Sequence, residues 1–451
     1  MKLEAIDRVY FVGIGGIGMS ALARYFAKRG CLVAGYDKTR TNLCAALEQE
    51  GLAIQYTDDL DLLPEAFQKN SAETLIVYTP AIPSTSTLLN YFKDSDFSLK
   101  KRSEVLGLIS AGQFCIAVAG THGKTTTSSM IAHILKETGY DCTAFLGGIA
   151  TNYDSNFLLG DNDTVVVEAD EYDRSFLTIH PDIAVITSMD ADHLDIYGDS
   201  SQLEESFKLF AGQLKPEGSL IIKSGLPIIS ELSYGLNSRA EINGLDVRIE
   251  DGYFVFNFAA GEMEIENIRM LLPGKHNIEN AVAAIAVALK LGIDPLAVKE
   301  AIGNFRGVRR RFEYVLRSES HVYIDDYAHH PEELRACFNA VRELYPDKKL
   351  TVIFQPHLFS RTRDFADEFA KVLSTADDLL LLEIYPAREM PIEGINAQML
   401  LDKIDLEHKA LCNKEDVILR VQEKNPELLL TVGAGDIDTF ILPLKELLSH
   451  A

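Results

Sequence analysis

Twice along this chain, an apolar run enters a glycine turn and leaves it as a helix. In the first case Val9-Tyr10-Phe11-Val12 leads into Gly13-Ile14-Gly15-Gly16-Ile17-Gly18, and a helix-like stretch runs from Met19 to Lys28. Gly30 ends it, and a second apolar run, Cys31 to Tyr36, closes on Asp37. In the second case Phe114 to Ala119 enters Gly120-Thr121-His122-Gly123-Lys124-Thr125-Thr126-Thr127, and Thr125 to Glu137 reads as a helix stopped by Gly139. Strand, glycine turn and helix in that order open a βαβ unit, whose turn aims several backbone N–H groups at one spot. Two such units demand an α/β architecture with ligands at the carboxyl ends of parallel strands.

At about 150 residues per domain, 451 residues suggest three domains. The first, 1–110, is expected to be Rossmann-like, with a further strand at Thr74–Tyr78 and a proline-marked loop at Thr79–Pro83. The second, 111–313, is expected to hold a central P-loop ATPase-like parallel sheet. Its strands include Thr164–Val167 and Ile183–Ile186, and Asn277 caps an Ala-rich buried helix from Ile278 to Leu291. The third, 314–451, follows Arg309-Arg310-Arg311-Phe312 and is expected to be another Rossmann-like α/β domain. Its strands are Val322–Ile324, Leu350–Phe354, Leu379–Leu382 and Leu428–Val432, with helices at Glu332–Leu344 and Thr362–Ser374. Alternating strands and helices imply parallel sheets in all three domains.

The net charge of -24 argues against nonspecific nucleic-acid binding, which needs a basic face. No apolar run of about 18 residues is present, so membrane insertion is not expected. Met1 to Arg8 lacks an apolar core and cleavage site, and six scattered cysteines without a C-x-x-C pair suit free thiols in a reducing, cytoplasmic setting. Oligomeric state is not legible.

The second glycine turn is a shortened phosphate loop, with Val118 where the usual pattern has its first glycine. Lys124 can reach β and γ phosphates, and the Thr125 hydroxyl can bind Mg²⁺; Mn²⁺ suits the same oxygens. The next two strands end in acids: Glu168-Ala169-Asp170-Glu171, and Asp190, Asp192, His193 and Asp195. Glu168 and His193 are candidates to complete a cation's shell, whereas the three aspartates read as solvated loop residues. The first turn matches G-x-G-x-x-G through Gly13, Gly15 and Gly18, with Asp37 about 20 residues on, where a ribose-binding acid stands. Alone it would say nicotinamide-dependent dehydrogenase. Two phosphate sites in one chain suggest two phosphorylated ligands instead. In the third segment, Asp325 to Pro331 and Gln355 to Arg363 follow strands, and Arg361 and Arg363 suit an anionic group. Spacing leaves the histidines open between structural and functional roles.

Taken together, these pieces resemble the Mur ligases along essentially the whole chain. The motifs occur in that family's order: Gly13 to Ser20, Ala119 to Thr127, Gly147-Gly148-Ile149, Glu168 to Glu171, Asp192-His193, His276 to Asn280, Arg310-Arg311-Phe312, Asp326 to Pro331 and Gly433 to Asp436. The resemblance implies ATP-dependent amide formation in peptidoglycan precursor synthesis. The lactyl carboxylate of UDP-N-acetylmuramate attacks the γ-phosphate of ATP, and L-alanine displaces phosphate from the acyl phosphate. It implies that Lys124, Glu168 and His193 are catalytic and that Thr125, Glu168 and His193 hold Mg²⁺ or Mn²⁺. Gly120, Thr121, His122, Gly123, Lys124, Thr125, Thr126, Asn277, Asn280, Arg310 and Asp326 would bind ATP. Gly13, Gly15, Gly16, Gly18 and Asp37 would hold the UDP-sugar, and Tyr327, His329, His357 and Arg361 the amino acid and muramyl group. Relatives carry arginine after Gln-Pro-His, where this chain has Leu358. The resemblance also admits a ligase that recycles a cell-wall tripeptide. Closure of the domains is expected, since the ATP site and its third-domain partners lie on different domains.

Overall fold

The computed structural model describes residues 3–69, 72–190, 200–237, 239–387 and 389–450. Three sheets carry the fold. The first has strands β1 (Arg8–Val12), β2 (Leu32–Tyr36), β3 (Ala53–Gln55), β4 (Thr74–Tyr78) and β5 (Ser98–Lys101), in the order β3-β2-β1-β4-β5 and parallel throughout. The order reverses between β1 and β4, and a Rossmann-like sheet binds ligands at that crevice. The first glycine turn lies there: Gly13 has φ +96°, and a Cβ on it would sit 2.7 Å from Thr79 Cγ2, just past β4. Helices α1 (Ile17–Lys28), α2 (Asn42–Gln49), α3 (Thr87–Lys93) and α4 (Arg102–Ala111) complete this part.

The second sheet is built on β6 (Phe114–Ala119), β7 (Thr143–Ala150), β8 (Ser155–Leu158), β9 (Thr164–Glu168), β10 (Ile183–Ile186) and β11 (Ser219–Lys223). Its order is β11-β10-β6-β9-β7-β8, extended beyond β11 by β12 (Leu232–Leu236), β13 (Ile242–Glu250), β14 (Tyr253–Ala260) and β15 (Met263–Met270). Cys115 to Ala119 of β6 are wholly buried, as a central parallel strand covered on both faces must be. Helix α5 (Lys124–Glu137) follows the phosphate loop, and α6 (Lys275–Lys290) returns later in the chain. The third sheet runs β16 (Glu313–Arg317), β17 (Val322–Asp326), β21 (Leu428–Val432), β18 (Leu350–Phe354), β19 (Asp378–Leu381) and β20 (Lys409–Leu411). Apolar clusters fill both of its faces.

Three expectations need correction. The sheets are not parallel throughout: β7–β8 and β16–β17 are antiparallel. Only 151–154 and 318–321 connect these pairs, and a parallel crossover needs a dozen residues or more. Asn277 is not a cap but lies inside α6, buried at 4% exposure. The helix expected at Thr362–Ser374 is two, Phe359–Asp364 and Ala366–Leu373, broken at Phe365, whose φ is -120°.

Contacts divide the chain into two compact units, one holding 1–247, 255–270 and 277–306, the other 248–254, 271–276 and 307–451. Within the first unit one apolar core runs from α1 to the second sheet, with Tyr25 against Phe145 at 5.5 Å. A polar bolt crosses the same junction, with Arg24 and Asn156 buried. Arg24 pairs with Glu50, just past the end of α2, through Nη2 at 2.7 Å and donates from Nη1 to Asn156 Oδ1 of β8. The Asn156 amide donates to Ile17 O and to Ser20 Oγ at 3.0 Å, fixing the first turn of α1. No described helix is long and apolar enough to cross a membrane. Asn156→Leu would leave the buried Nη1 of Arg24 without its acceptor and is expected to cost about 1–3 kcal/mol. A urea titration tests this through the midpoint, which should fall; an unchanged midpoint would show that Arg24 finds another acceptor.

Candidate active site

The phosphate loop joins β6 to α5 with two glycines in left-handed backbone, Gly120 at φ +134° and Gly123 at φ +84°. Both are pressed by neighbours. A Cβ on Gly120 would lie 2.2 Å from Thr187 Oγ1, and one on Gly123 would lie 2.6 Å from Asn280 Oδ1. No residue with a side chain fits either place without displacing its neighbour. The Gly123 contact also sets Asn280 of α6 at the loop, with Asn277 one turn back and 3.4 Å from the Asn280 amide. The loop's far side is braced by the end of β10. Ser188 Oγ accepts from the His122 N–H at 2.7 Å and shares a hydrogen bond with Thr121 Oγ1 at 2.9 Å, and Thr187 Oγ1 donates to the Ala119 and His122 carbonyls. Thr121 and His122 therefore shape the loop through their contacts with β10, while Thr125 and Thr126 stand on the first turn of α5, both buried.

Lys124 opens α5. Its ammonium donates to Gly120 O at 2.5 Å and to Glu171 Oε1 at 2.9 Å, and Glu171 is wholly buried. Burial works against the charge of Lys124, but Glu171, Asp170 and Glu168 outweigh it and hold its pKa above the usual lysine range. The positive end of α5 adds to the charge that the ammonium presents to an anion. Glu168 ends β9, level with Val118 of β6, and accepts from the Gly147 N–H at 3.0 Å. A Cβ on Gly147 would lie 2.2 Å from Glu168 Oε2, so the glycine is what lets the carboxylate settle there. Among the described residues no group of three or more His, Cys, Asp or Glu is placed to hold a metal. The donors at hand, the Thr125 hydroxyl and the Glu168 carboxylate, are hard oxygens. They fit a Mg²⁺-type ion that draws most of its shell from phosphate and water. His193, Asp192 and Asp195 lie outside the described residues.

At the first glycine turn, Asp37 Oδ2 accepts from the Gly15 N–H at 2.8 Å and Oδ1 accepts from Thr39 N–H at 3.1 Å. Asp37 thus clamps the turn itself. Gly16 starts α1 without a side-chain cap, leaving the first-turn N–H groups to face the crevice. A cavity of about 90 Å³ lies between this turn and the second sheet, lined by Ile17, Gly18, Arg102, Gly147, Glu168 and Asp170 among others. The cavity therefore runs from the first turn of α1 to Glu168, whose strand β9 lies beside β6, the strand that leads into the phosphate loop.

In the second unit the ends of β17, β21 and β18 meet. Asp326 accepts from the Phe312 and Ala328 N–H groups, both at 2.7 Å. Asp325 beside it accepts from Arg310 Nε at 3.2 Å and from Thr431. Burial pushes both carboxyls up to about 6, against the pull of Arg310 on Asp325 and of Arg311 on Asp326. Arg310 also donates to Gly433 O at 2.6 Å, so its guanidinium is tied within the second unit. His329 Nδ1 sits 2.9 Å from Tyr327 O, with the two rings 5.3 Å apart. Burial, helped by Arg361 and Arg311 and opposed by Glu333, holds the imidazole below its usual pKa. It is neutral near pH 7, with Nδ1–H donated and the lone pair on Nε2. The His357 ring lies 5.8 Å from that of His329 and stacks on Tyr385, and Arg361 Nη1 approaches His357 Nδ1 at 3.4 Å. Leu358 has φ +69°, unfavourable for a branched residue, and donates its N–H to Tyr385 O at 3.0 Å. Arg363 points away, paired with Asp364 at 2.7 Å with both exposed.

Thr187, Ser188, Glu171 as the partner of Lys124, and Arg102 were not singled out by sequence reasoning. Thr187 and Ser188 occupy the carboxyl end of a strand, the same signal that marked Glu168. Arg102 also follows a strand end, that of β5, but Ser98-Leu99-Lys100-Lys101 is too short and polar to be read as a strand from sequence.

Comparisons with known proteins agree along the length. The sequence models described as "Mur ligase family, catalytic domain", "Mur ligase middle domain" and "Mur ligase, glutamate ligase domain" match residues 8–114, 118–288 and 310–435. A UDP-N-acetylmuramate–L-alanine ligase of Christiangramia forsetii is 48% identical over 448 residues, covering 99% of each chain. Its namesake in Flavobacterium johnsoniae is 49% identical over 451 residues, covering both chains entirely. Among solved structures, a UDP-N-acetylmuramate–alanine ligase from Thermotoga maritima superposes with TM-score 0.83 at 26% identity, covering 98% of this chain and 100% of that one. A murein peptide ligase from Psychrobacter arcticus shares the fold, with TM-score 0.69 at 20% identity and 99% of each chain covered.

The raised carboxyl of Asp326 gives a pH signature. A carboxyl with a folded pKa above its unfolded value, here about 6 against 3.8, holds its proton more tightly when folded, so its contribution to stability falls as pH rises between those values. Asp326→Asn removes this penalty. Between pH 4 and 7 the stability difference is expected to shift in the variant's favour by about 1–3 kcal/mol. Denaturation curves at stepped pH check this; parallel pH profiles would refute it.

Proposed function

Because the chain belongs to the Mur ligase family, we propose that it joins L-alanine to the lactyl carboxylate of UDP-N-acetylmuramate while ATP becomes ADP and phosphate. Relatives of that name align with the whole chain at 48–49% identity. The observation that carries the reading is a cavity lined both by the first turn of α1 and by Glu168, which ends the strand beside β6. An enzyme that phosphorylates a nucleotide-linked acid needs a path from the nucleotide-binding turn towards the phosphate loop, and this cavity leads from the first turn of α1 to Glu168 on the strand next to that loop's own. A dehydrogenase has no use for such a path.

The chemistry follows from what the residues offer. A carboxylate oxygen attacks the γ-phosphorus, the bond to the β,γ-bridging oxygen breaks, and its electron pair leaves on ADP. Lys124 and the first N–H groups of α5 face the transferring charge, whose stabilisation by preset donors is the main source of rate. Thr125 and Glu168, with His193, would hold Mg²⁺ or Mn²⁺, which when bound offsets the repulsion between carboxylate and phosphate. The alanine nitrogen then attacks the acyl carbon, the bond to phosphate breaks, and an amide remains. Alanine's ammonium must first lose a proton, and neutral His329, with its lone pair on Nε2, is suited to take it. We keep the division expected from the sequence: 1–110 for the UDP-sugar, 111–313 for ATP, and 314–451 for the amino acid. Gly13, Gly15, Gly16 and Gly18 serve the pyrophosphate, Asn277, Asn280, Arg310 and Asp326 the nucleotide, and Tyr327, His357 and Arg361 the amino acid and muramyl group. Substrates of this kind place the protein in the cytoplasm.

Release of ADP should require both UDP-N-acetylmuramate and L-alanine in a coupled assay. Release that ignores L-alanine, or prefers a peptide, would count against the reading. Lys124→Ala should lower kcat by about 10³-fold while UDP-N-acetylmuramate still binds. Gly147→Ala should cost about 10²-fold in kcat by shifting the Glu168 carboxylate. Full activity in Gly147→Ala would show that the Glu168 position is not critical.

A further inference from the structure

We propose that Arg102 binds and orients the attacking carboxylate of the UDP-sugar substrate, an inference that rests on the function proposed above. Arg102 is the first residue of α4, directly after β5 at the edge of the first sheet. Its backbone is anchored twice. Glu104 accepts from the Lys101 N–H at 2.7 Å, closing the start of α4. Thr178 Oγ1 donates to Ser103 O at 2.9 Å, and Gly107 lies so close to Thr178 that a Cβ would meet its carbonyl oxygen at 2.5 Å. Thr178 ends the short helical turn Tyr172–Thr178 that follows Glu168-Ala169-Asp170-Glu171. An arginine from the first domain is thereby fixed against the acidic strand end of the second.

Its side chain crosses the first turn of α1. A Cβ on Gly18 would stand 2.5 Å from Nη1, so the glycine clears the path for the guanidinium. The group then lines the cavity it shares with Glu168 and Gly147. A guanidinium carries five N–H donors. This one is three-quarters buried, yet its only ion pair among the described residues is with Asp170 Oδ2 at 3.6 Å, beyond hydrogen-bonding distance, and it makes no side-chain hydrogen bond to a described residue. A largely buried fork of unused donors calls for a planar anion, and a carboxylate matches it in two-pronged geometry.

The position favours the carboxylate over the pyrophosphate. The N–H groups of the first glycine turn and the positive end of α1 already suit phosphate. Arg102 stands farther in, towards Glu168. A nucleophile in this cavity meets Glu168 and Asp170. Those two acids repel a carboxylate, and Lys124 is engaged with the buried Glu171. Arg102 supplies the opposing charge in the cavity.

The test compares UDP-N-acetylmuramate with UDP-N-acetylglucosamine, which has the same nucleotide but no lactyl carboxylate. In Arg102→Gln, kcat/KM for UDP-N-acetylmuramate should fall by about 10²–10³-fold, with KM for ATP within about twofold of the parent. By calorimetry, affinity for UDP-N-acetylmuramate should weaken by at least about tenfold while that for UDP-N-acetylglucosamine holds. Arg102→Lys, which keeps the charge but loses the fork, should recover about tenfold of the loss. Parental kcat/KM in Arg102→Gln would overturn the inference. So would equal weakening for both sugars, which would place the arginine on the pyrophosphate. Should the Gln variant lose nucleotide binding, the same sugar comparison on Arg102→Lys decides in the same way. A parent that turns over while Arg102→Gln is unimpaired sinks only Arg102; a parent that releases no ADP with these substrates removes the proposed function and this inference together.

Discussion

The packing of bare backbone against polar side chains at the phosphate loop is the constraint on which the rest depends. Three strand ends, those of β6, β9 and β10, converge there in register. Each close approach exists because a glycine has no Cβ: Gly120 against Thr187, Gly123 against Asn280, and Gly147 against Glu168. Filling any of the three would push aside a residue that shapes the loop or is proposed to meet the nucleotide and its cation. The geometry is enforced by absence of volume rather than by strength of any bond, so it is set before a ligand arrives.

Charge is arranged around that geometry with the same economy. Glu168, Asp170 and Glu171 stand within four residues of one another, and Lys124 from one side and Arg102 from the other face them. Two unit charges about 4 Å apart interact by roughly 4 kcal/mol near a protein surface, and more where water is excluded. A cluster of three acids would therefore bar a carboxylate from the loop unless cations framed its path. The bolt of Arg24, Glu50 and Asn156 and the shared apolar core keep that frame at fixed spacing, since they hold α1 against β7 and β8. Fold and chemistry meet at α1, whose amino end opens on the cavity and whose body is fastened to the second sheet.

Central parallel strands were the most legible part of the sequence. Thr74–Tyr78, Phe114–Ala119, Ile183–Ile186, Leu350–Phe354 and Leu428–Val432 coincide with β4, β6, β10, β18 and β21, because burial on both faces leaves an unbroken apolar run bounded by polar residues. The hairpin β7–β8 is broken by Gly147 and Gly148, and β13 and β15 mix charged with apolar residues, so they look like loops in sequence; β14 does carry an apolar run, Tyr253-Phe254-Val255-Phe256, that sequence reasoning did not single out as a strand. Asn277 reads as a cap because asparagine favours that place, yet the helix starts at Lys275. The phosphate loop and Glu168 were visible because their function follows from local order. Thr187, Ser188 and Asn156 were not, since each acts on a partner some 65 to 140 residues away. Arg102 acts across a domain boundary on a residue 68 positions on, and no local pattern announces such a pairing.

The central claim is that the two glycine turns bring a carboxylate to the γ-phosphate of ATP. UDP-N-acetylmuramate labelled with ¹⁸O in its lactyl carboxylate tests it most directly. If the carboxylate attacks phosphorus and the amine then breaks the acyl–oxygen bond, one labelled oxygen passes to each phosphate released with the amide. Mass spectrometry of the phosphate should show a single ¹⁸O transferred per turnover in the presence of ATP and L-alanine. Phosphate free of label, with amide formed, would contradict the account.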